Sequence, residues 1–168
     1  FIIDGAKKDE LIAADPKNAE IIRPILRGRD IKRYGFDFAD LYIIATFPSR
    51  NYDIDDYPAI KEYLLSFGME RMEQTGKEYV INGETVKARK KTNNKWYETQ
   101  DSISYWDDFS KQKIVWGNLC LSAQYALVDE EYYINAPSPM ITNGSKYLLA
   151  MLNSKVVDWY IKHLGVTR

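Results

Sequence analysis

Cysteine and histidine are almost absent from this chain of 168 residues, which holds one of each, Cys120 and His163. One cysteine cannot form an internal disulfide, and a reducing cytoplasm fits that composition best. A zinc site, or a Cys–His or Ser–His catalytic pair within the chain, is therefore not expected. His163 lies at helical spacing from Trp159 and Tyr160, which indicates a residue near a helix end.

Long apolar runs are also missing. No stretch approaches the roughly 18 residues that a membrane span needs, and no signal peptide or Gly-rich phosphate loop is found. We therefore expect no membrane association. The chain starts at Phe1 rather than Met and ends at "GVTR", which indicates a piece of a larger protein.

The composition is that of a folded protein. Hydrophobic residues make up 45% of the chain and aromatic residues 14%, with 13 Tyr and 4 Trp. Such side chains suit half-buried strands, and also surfaces that meet a partner with one wet edge. At this length we expect one domain over residues 1–168 with a substantial core.

Positive charge is concentrated in two windows, although the formal net charge is −1. Residues 23–33 carry five basic side chains and one acid, and residues 85–97 carry five basic side chains and no acid. The other 144 residues have a formal charge of −10. Because polyanion binding follows the local patch rather than the total, the net charge does not exclude such a partner.

The hydrophobic pattern predicts short elements in the first half. Residues 6–26 read as two helical pieces, separated at Pro16 and stopped near Pro24, and residues 23–34 as a loop leading into a short strand. "DLYIIATF" (40–47) predicts a strand. "DDYPAIKEYLLSF" (55–67) predicts a helix with Pro58 in its first turn.

The second half predicts strands followed by a helix. Asn82-Gly83 between alternating residues indicates a hairpin, which we expect to hold the second basic window out as a finger or loop. Short strands are predicted within 113–128, 131–136 and 139–143. Residues 145–164 predict one helix, capped by Ser145 and bearing an apolar stripe. The stripe consists of Leu148, Leu152, Val156 and Trp159. The predicted class is α+β, with mixed or antiparallel short strands.

Catalytic residues are not evident. Asp15 followed by Asp30-Ile-Lys32 has the spacing of metal-dependent endonucleases, but Asp30 lies between Arg29 and Lys32, which favours an ion pair. We therefore predict no catalytic residue and no metal site.

The second basic window mixes the side chains that proteins use on DNA. Lysine and arginine suit phosphates, whereas arginine, asparagine and glutamine can contact base edges in the major groove. The candidates are Lys87, Arg89, Lys90, Lys91, Asn93, Asn94, Lys95, Trp96 and Tyr97. A soluble, charged hairpin tip with Trp96 and Tyr97 packed at its base explains this composition equally well.

Four blocks of sequence, in order, carry a family resemblance. They are "AEIIRPILRGRDIKRY", "IDDYPAIKEYLLSF", "ARKKTNNKWYETQDSISYWDDFSKQKIVW" and "KYLLAMLNSKVVDWYIKHLG". Together, over about residues 2–165, they closely resemble the TaqI-like C-terminal specificity domain. That is the target-recognition domain of adenine-specific DNA methyltransferases, including restriction enzymes that fuse methylation and cleavage in one chain.

The resemblance implies a module that reads a short sequence of double-stranded DNA. An upstream methyltransferase domain of the same chain would transfer methyl from S-adenosylmethionine to a flipped adenine. The Asn-Pro-Pro-Tyr type motif of that domain is absent here, so the fragment is expected to be non-catalytic and without a cofactor. A fused nuclease, with Mg²⁺, would lie further upstream. Family members usually continue beyond the final helix, which implies a normally covered surface there.

The resemblance also implies DNA-contacting residues outside the second window. Arg27, Arg29, Lys32 and Arg33 would hold phosphate or brace the methyltransferase junction. For Arg27 and Arg29, pairing with Asp30 is the alternative. After the "KIVWG" strand, Asn118, Ser122 and Gln124 are candidates for base edges, together with Arg89, Asn93 and Asn94.

Another class of function stays open. The chain could be a protein-interaction or scaffold domain, such as a specificity-subunit-like part of a multi-subunit restriction or phage-defence complex. It would then act mainly through helices, and the 145–164 segment could pack on a partner helix.

Overall fold

The computed structural model describes residues 1–119, 121–129 and 132–164, without the side chain of Leu164. The chain divides into two compact units. The first comprises Phe1–Ile22 and Ile44–Ser104, and the second the described residues of Arg23–Ile43 and Tyr105–Arg168. The expectation of one domain over 1–168 stays a prediction.

Short helices and short strands alternate along the described residues, which confirms the predicted α+β class. The strands are β1 (Ile2–Asp4), β2 (Ile22–Leu26), β3 (Ile31–Lys32), β4 (Gly35–Phe36), β5 (Leu41–Ile44), β6 (Glu78–Ile81), β7 (Glu84–Lys87), β8 (Lys113–Trp116), β9 (Tyr125–Val128), β10 (Tyr133–Ile134) and β11 (Met140–Thr142). The helices are α1 (Gly5–Ala14), α2 (Pro58–Leu65), α3 (Met69–Met72), α4 (Lys146–Leu152) and α5 (Lys155–Leu164). Single 3₁₀ turns lie at Pro16–Glu20, Gly28–Asp30, Pro48–Arg50, Ile54–Asp56 and Trp106–Ser110.

Helices of the first unit begin where the sequence supplies caps. Asp4 accepts a hydrogen bond from the backbone N–H of Lys7 and caps α1, and Asp15 does the same for Lys17 at the following 3₁₀ turn. Pro16 therefore separates two helical pieces, as predicted. The predicted helix around Pro58 is confirmed as α2, which buries Ile60 and Leu64 completely.

The hairpin predicted from Asn82-Gly83 is present. β6 and β7 pair antiparallel, with Tyr79 opposite Val86. Asn82 and Gly83 have φ values of 52° and 83°. This left-handed backbone suits the right-handed strand twist, and Asn and Gly adopt it at little cost.

The basic window beyond β7 is a loop, one of the two forms expected, but past Lys87 it does not protrude as a finger. The backbone N–H of Ala88 bonds to the carbonyl of Lys77 at 2.8 Å, and that of Arg89 to the carbonyl of Glu73 at 2.9 Å. The N–H of Thr92 bonds to the carbonyl of Gln74 at 3.1 Å. These bonds lay the window along residues 73–77, because its backbone groups find partners there rather than in water.

The second unit has a three-stranded antiparallel sheet with β8 between β11 and β9. Its core cluster consists of Leu26, Ile31, Val115, Ala126 and Val128. Partly buried aromatic and aliphatic side chains close the cluster: Phe36, Phe38, Tyr132, Ile134 and Met140. The strands predicted within 113–128 and 139–143 are confirmed here.

Residues 22–26 form strand β2, not the end of a helical piece, so the sequence interpretation there was wrong. In the second unit, β2 lies between β5 and β10 and pairs parallel with β10, Ile25 opposite Tyr133 and Leu26 opposite Ile134. Ile25 and Leu26 are buried. Their burial overrides the helical pattern, since strand preference follows packing more than local propensity.

The predicted helix over 145–164 is two helices, which corrects that prediction. Ser145 caps α4 as expected, but the helical run is interrupted at Asn153 and Ser154 before α5 begins. The Asn153 side chain donates to the carbonyl of Tyr125 at 2.8 Å and accepts from its N–H at 3.1 Å. Asn153 therefore serves a tertiary contact, and Ser154 starts the next helix by accepting from the N–H of Val157.

The predicted apolar stripe is also wrong in its second half. Leu148 and Leu152 are half-buried, but Val156 and Trp159 are exposed. The break at Asn153 resets the helical phase, so α5 turns Val157 and Ile161 inward instead.

Candidate nucleic-acid interface

The lysines of the second basic window, 85–97, point to solvent. Lys90, Lys91 and Asn93 are exposed, and the two lysine side chains form no ion pair with any residue that the structure describes. Lys87 lies 3.8 Å from Glu78, with both side chains largely exposed. An exposed pair at that distance contributes little, so these cations are available to a ligand.

Arg89 is built into the first unit instead. Its guanidinium donates to the carbonyl of Trp96 at 2.9 Å and to that of Glu98 at 2.7 Å. It also lies 5.0 Å from the centre of the Phe1 ring. Burial lowers the pKa of Arg89 from its ordinary value. The two bonds tie Arg89 to the carbonyls of residues 96 and 98, so its guanidinium has a structural role in the window, and a contact with a base edge stays a prediction.

Asn94 and Tyr97 have similar structural contacts. The Asn94 amide donates to the carbonyls of Thr99 and Gln100 at 2.9 and 3.0 Å. Tyr97 is buried, and its hydroxyl donates to the carbonyl of Tyr52 at 2.9 Å.

The remaining residues of the window lie around Tyr97. Trp96 is half-buried and packs edge-on against Tyr97, with ring centres 5.5 Å apart. Lys95 is exposed, with its amine 5.6 Å from the Tyr97 ring centre. The aromatic pair thus packs at the base of the window, which is the alternative that composition had left open.

In the first basic window, 23–33, Arg27 forms the ion pair that was the alternative to a DNA contact. Its side chain donates to both carboxylate oxygens of Asp30, at 2.7 Å from Nη2 and 2.9 Å from Nε. Burial would raise the pKa of Asp30, but hydrogen bonds from the side chain and backbone of Arg27 outweigh it and lower that pKa. A DNA contact by Arg27 stays a prediction.

The other cations of the first window make different contacts from one another. Arg29 and Lys32 are exposed, and the Lys32 amine donates to the carbonyl of Arg29 at 2.8 Å, which keeps both at one turn. Arg33 donates to the carbonyl of Asn153 at 2.6 Å and lies 5.4 Å from the Tyr34 ring centre. Arg29 and Lys32 retain their charge for a ligand, because neither forms an ion pair with a described residue.

The predicted base readers of the second unit lie on the loop between β8 and β9. Asn118 and Gln124 are exposed and Ser122 is half-buried. Among the described residues, no side-chain hydrogen bond involves the amides of Asn118 and Gln124 or the hydroxyl of Ser122. A loop that presents polar groups in this way can contact base edges or phosphates.

Two residues that sequence reasoning missed hold this loop. Asp158 accepts a hydrogen bond from the N–H of Ala123 at 2.9 Å, and Asn153 brackets Tyr125. A bond from Lys162 and then the one from Ala123 lower the pKa of Asp158. The Asn-Ser pair inside an otherwise helical run was a usable signal, since both residues favour caps over helix interiors.

The carboxylates of the endonuclease-like spacing have structural partners. Asp15 caps the Pro16–Glu20 turn and Asp30 pairs with Arg27. Within residues 1–119, 121–129 and 132–164, no group of three or more His, Cys, Asp or Glu residues could hold a metal ion. In the same part of the chain, no helix has the length and apolar character needed to cross a bilayer.

One comparison with known proteins identifies a family. The model of the TaqI-like C-terminal specificity domain matches residues 23–168, which include both basic windows and the loop between β8 and β9. No curated protein shows a significant match to the chain. Because the family match spans most of the sequence, this chain belongs to the TaqI-like C-terminal specificity domain family.

Proposed function

We propose that this chain is the sequence-specific, double-stranded DNA recognition module of a restriction-modification enzyme, and is non-catalytic by itself. Family membership is the observation that carries the proposal, since a specificity domain selects the DNA on which another domain acts. Exposed lysines without ion-pair partners support it, because neutralising phosphates is the main source of affinity for duplex DNA.

The contacts of each side chain suggest a division of labour. Exposed cations would contact phosphates and set the position of the module: Arg29, Lys32, Lys87, Lys90, Lys91 and Lys95. Polar groups at the surface, three of them exposed and that of Ser122 half-buried, would meet base edges: Asn93, Asn118, Ser122 and Gln124. Arg27, Arg89, Asn94, Trp96 and Tyr97 would hold these groups in place, because their polar atoms or rings already contact the protein. Arg33 is exposed and would contact phosphate with the donors that its bond to the Asn153 carbonyl leaves.

The catalytic partner would lie outside this chain. An upstream adenine-specific methyltransferase domain would bind S-adenosylmethionine and flip the target base, which it cannot reach inside a stacked duplex. A nuclease domain that uses Mg²⁺ would be present if the parent enzyme also cleaves. Both activities place the parent with its DNA in the cytoplasm, where phage DNA enters.

Salt-dependent duplex binding tests the proposal. The chain is titrated with DNA from a randomised pool between low and moderate salt, as wild type and with both Lys90→Ala and Lys91→Ala. We expect log affinity to fall linearly with log salt, with a slope of about −0.9 per phosphate contact. The double variant should bind all sequences more weakly and with a shallower slope, because two phosphate contacts are lost.

A charge-matched control separates local contacts from net charge. Lys17 and Lys61 belong to the same unit and pair with Asp56 at 3.5 Å and with Asp55. Lys17→Ala with Lys61→Ala removes the same charge from positions outside both basic windows. Binding by this control should match wild type. Equal slopes for all three proteins would remove the second basic window from the DNA site.

A protein-interaction role is the second candidate, and the exposed apolar side chains of α5 favour it. Val156, Trp159 and Tyr160 are each more than half exposed. Deleting residues 1–168 from the parent enzyme distinguishes the two roles. If these residues are the recognition module, the deletion should abolish sequence preference and leave weak, salt-sensitive binding. Sequence preference that survives the deletion would support the interaction role.

A further inference from the structure

The loop between β8 and β9 exposes two large apolar side chains beside its polar groups. Leu119 is 76% exposed and Leu121 is 82% exposed. Cys120, between them, lies outside the described residues. Single exposed leucines are common on protein surfaces. Leu119 and Leu121 differ from such single leucines because they lie near the tip of a loop that is fixed at both ends. The fixed ends keep the two side chains outward.

The first end of the loop is held by a close backbone approach. A Cβ atom added at Gly28 would lie 3.1 Å from the Cα of Gly117, and one added at Gly117 would lie 3.0 Å from the carbonyl oxygen of Gly28. A side chain at either position would crowd this contact, so the two glycines let the Gly28–Asp30 turn lie closely against the start of the loop. This turn carries Arg29, with the Lys32 amine bonded to the Arg29 carbonyl.

The second end of the loop is held by four hydrogen bonds. Asp158 accepts from the N–H of Ala123, and Asn153 brackets the N–H and carbonyl of Tyr125. The carbonyl of Tyr125 also accepts from the N–H of Tyr34 at 2.9 Å. Tyr34 is in the turn between β3 and β4, directly after Arg33. A cation-bearing turn therefore abuts the loop at each end.

This arrangement puts two exposed apolar side chains on a loop whose ends both meet cation-bearing turns, and it fits one ligand in particular. A duplex offers phosphates on the outside and an apolar base stack within, at spacings that a short loop can span. Proteins that unstack a base step insert leucine or similar side chains while nearby cations hold the phosphates. A protein partner would instead need a continuous apolar patch, whereas Asn118, Ser122 and Gln124 interrupt this one.

Resting on the proposed function, we propose that Leu119 and Leu121 form an apolar wedge that enters the base stack of bound DNA. Arg29, Lys32 and Arg33 hold the phosphates on either side. The wedge acts at the step where the two leucines meet the stack, and it raises affinity only for sequences whose steps unstack readily. Pyrimidine–purine steps are the sequences of that kind.

Fluorescence of 2-aminopurine tests the wedge, because this base brightens when it loses stacking. A duplex is first selected from a randomised pool by the wild-type chain, and each adenine is then replaced in turn. Wild type should raise fluorescence at one step. The double variant with Leu119→Ala and Leu121→Ala should abolish the rise and lower affinity about tenfold, the effect of losing apolar burial by two side chains on a partly solvated surface.

Controls separate the wedge from other effects of the loop. Replacing both leucines with methionine keeps apolar volume and should keep the fluorescence rise. Val156→Ala removes apolar area from a side chain that is also 76% exposed in the same unit, and should change neither signal. The salt slope should stay at the wild-type value in every variant, because no phosphate contact is removed.

The outcomes also distinguish this inference from the function beneath it. Salt-dependent, sequence-selective binding with no fluorescence rise in wild type, or with an equal rise in the alanine variant, overturns the wedge and leaves the recognition function standing. Absence of any sequence-selective duplex binding by wild type overturns both.

Discussion

The two basic windows are alike in sequence but use their arginines differently. In 85–97, Arg89 is held by two backbone carbonyls, and it forms no ion pair with a carboxylate in the part of the chain that the structure describes. In 23–33, Arg27 is held by Asp30, which neutralises it. In both windows the lysines remain at the surface. Equal counts of basic residues therefore produce unequal fields, and the second window presents the stronger positive surface.

Arginine and lysine differ in how readily they form structural contacts within the protein. A guanidinium is planar and presents several donors at fixed angles, so it can join two acceptors and be buried with them. An ammonium is a strongly hydrated point charge on a flexible stem and stays in water more readily. Composition counts both as +1, whereas the fold gives Arg27 and Arg89 structural contacts and leaves Lys90 and Lys91 exposed.

Removing Arg89 should have the largest effect on stability. Arg89→Ala removes a donor from the carbonyls of Trp96 and Glu98, of which the second keeps its bond from the Gln74 amide, and loses packing on Phe1. We expect the free energy of unfolding to fall by about 3 kcal/mol. Urea denaturation of wild type and variant measures it, with Lys90→Ala as the neighbouring control. A comparable loss in the Lys90 variant would mean that the two cations have the same role.

Asn153→Ala should have the next largest effect. The buried side chain bonds to both backbone groups of Tyr125, and without it the N–H loses this acceptor while the carbonyl keeps only its bond from the N–H of Tyr34 among these contacts. We expect a loss of about 2 kcal/mol in urea denaturation. Asn153→Asp keeps the acceptor for the Tyr125 N–H but not the donor, so its stability should fall between the two. An aspartate variant as stable as wild type would show that the donated bond contributes nothing.

The Arg27–Asp30 pair should make stability depend on pH. Asp30→Asn should cost about 1 kcal/mol at pH 7, a value kept low because Arg27 is partly solvated. The pKa of Asp30 is below its ordinary value of 3.8, so wild type holds this stabilisation above that value and loses it as pH falls through the lowered pKa. Urea denaturation between pH 7 and pH 3 should therefore show the two proteins converging at the acid end. A constant difference would place the pair's contribution outside the ionisation of Asp30.

The smallest effect is expected from the exposed lysines. Lys90→Ala with Lys91→Ala should leave thermal unfolding unchanged, because neither side chain has an ion-pair partner among the described residues. The same protein should bind duplex DNA more weakly. Stability lost in parallel with binding would indicate that these lysines support the fold and reach the ligand indirectly.

Local patterns were reliable where the controlling residues are neighbours in sequence. Asn82-Gly83 determined a hairpin because two left-handed residues reverse the chain with the right twist. Pro16 and Asp15 separated two helical pieces for a similar reason. By contrast, Pro24 suggested an end to a helix, but the burial of Ile25 and Leu26 made that segment a strand. Asn153 interrupted the last predicted helix because Tyr125 needed its side chain.

The amino-acid sequence by itself determined the fold class, the family, the hairpin and the places where positive charge is dense. Each of these depends on residue type and short spacing. The tertiary structure decided which cations are free, that Trp96 and Tyr97 pack at the base of their window, and that two leucines lie on a loop whose ends both meet cation-bearing turns. Those features depend on partners far apart in the chain, such as Arg33 with Asn153, and no local pattern encodes which distant carbonyl a side chain will meet.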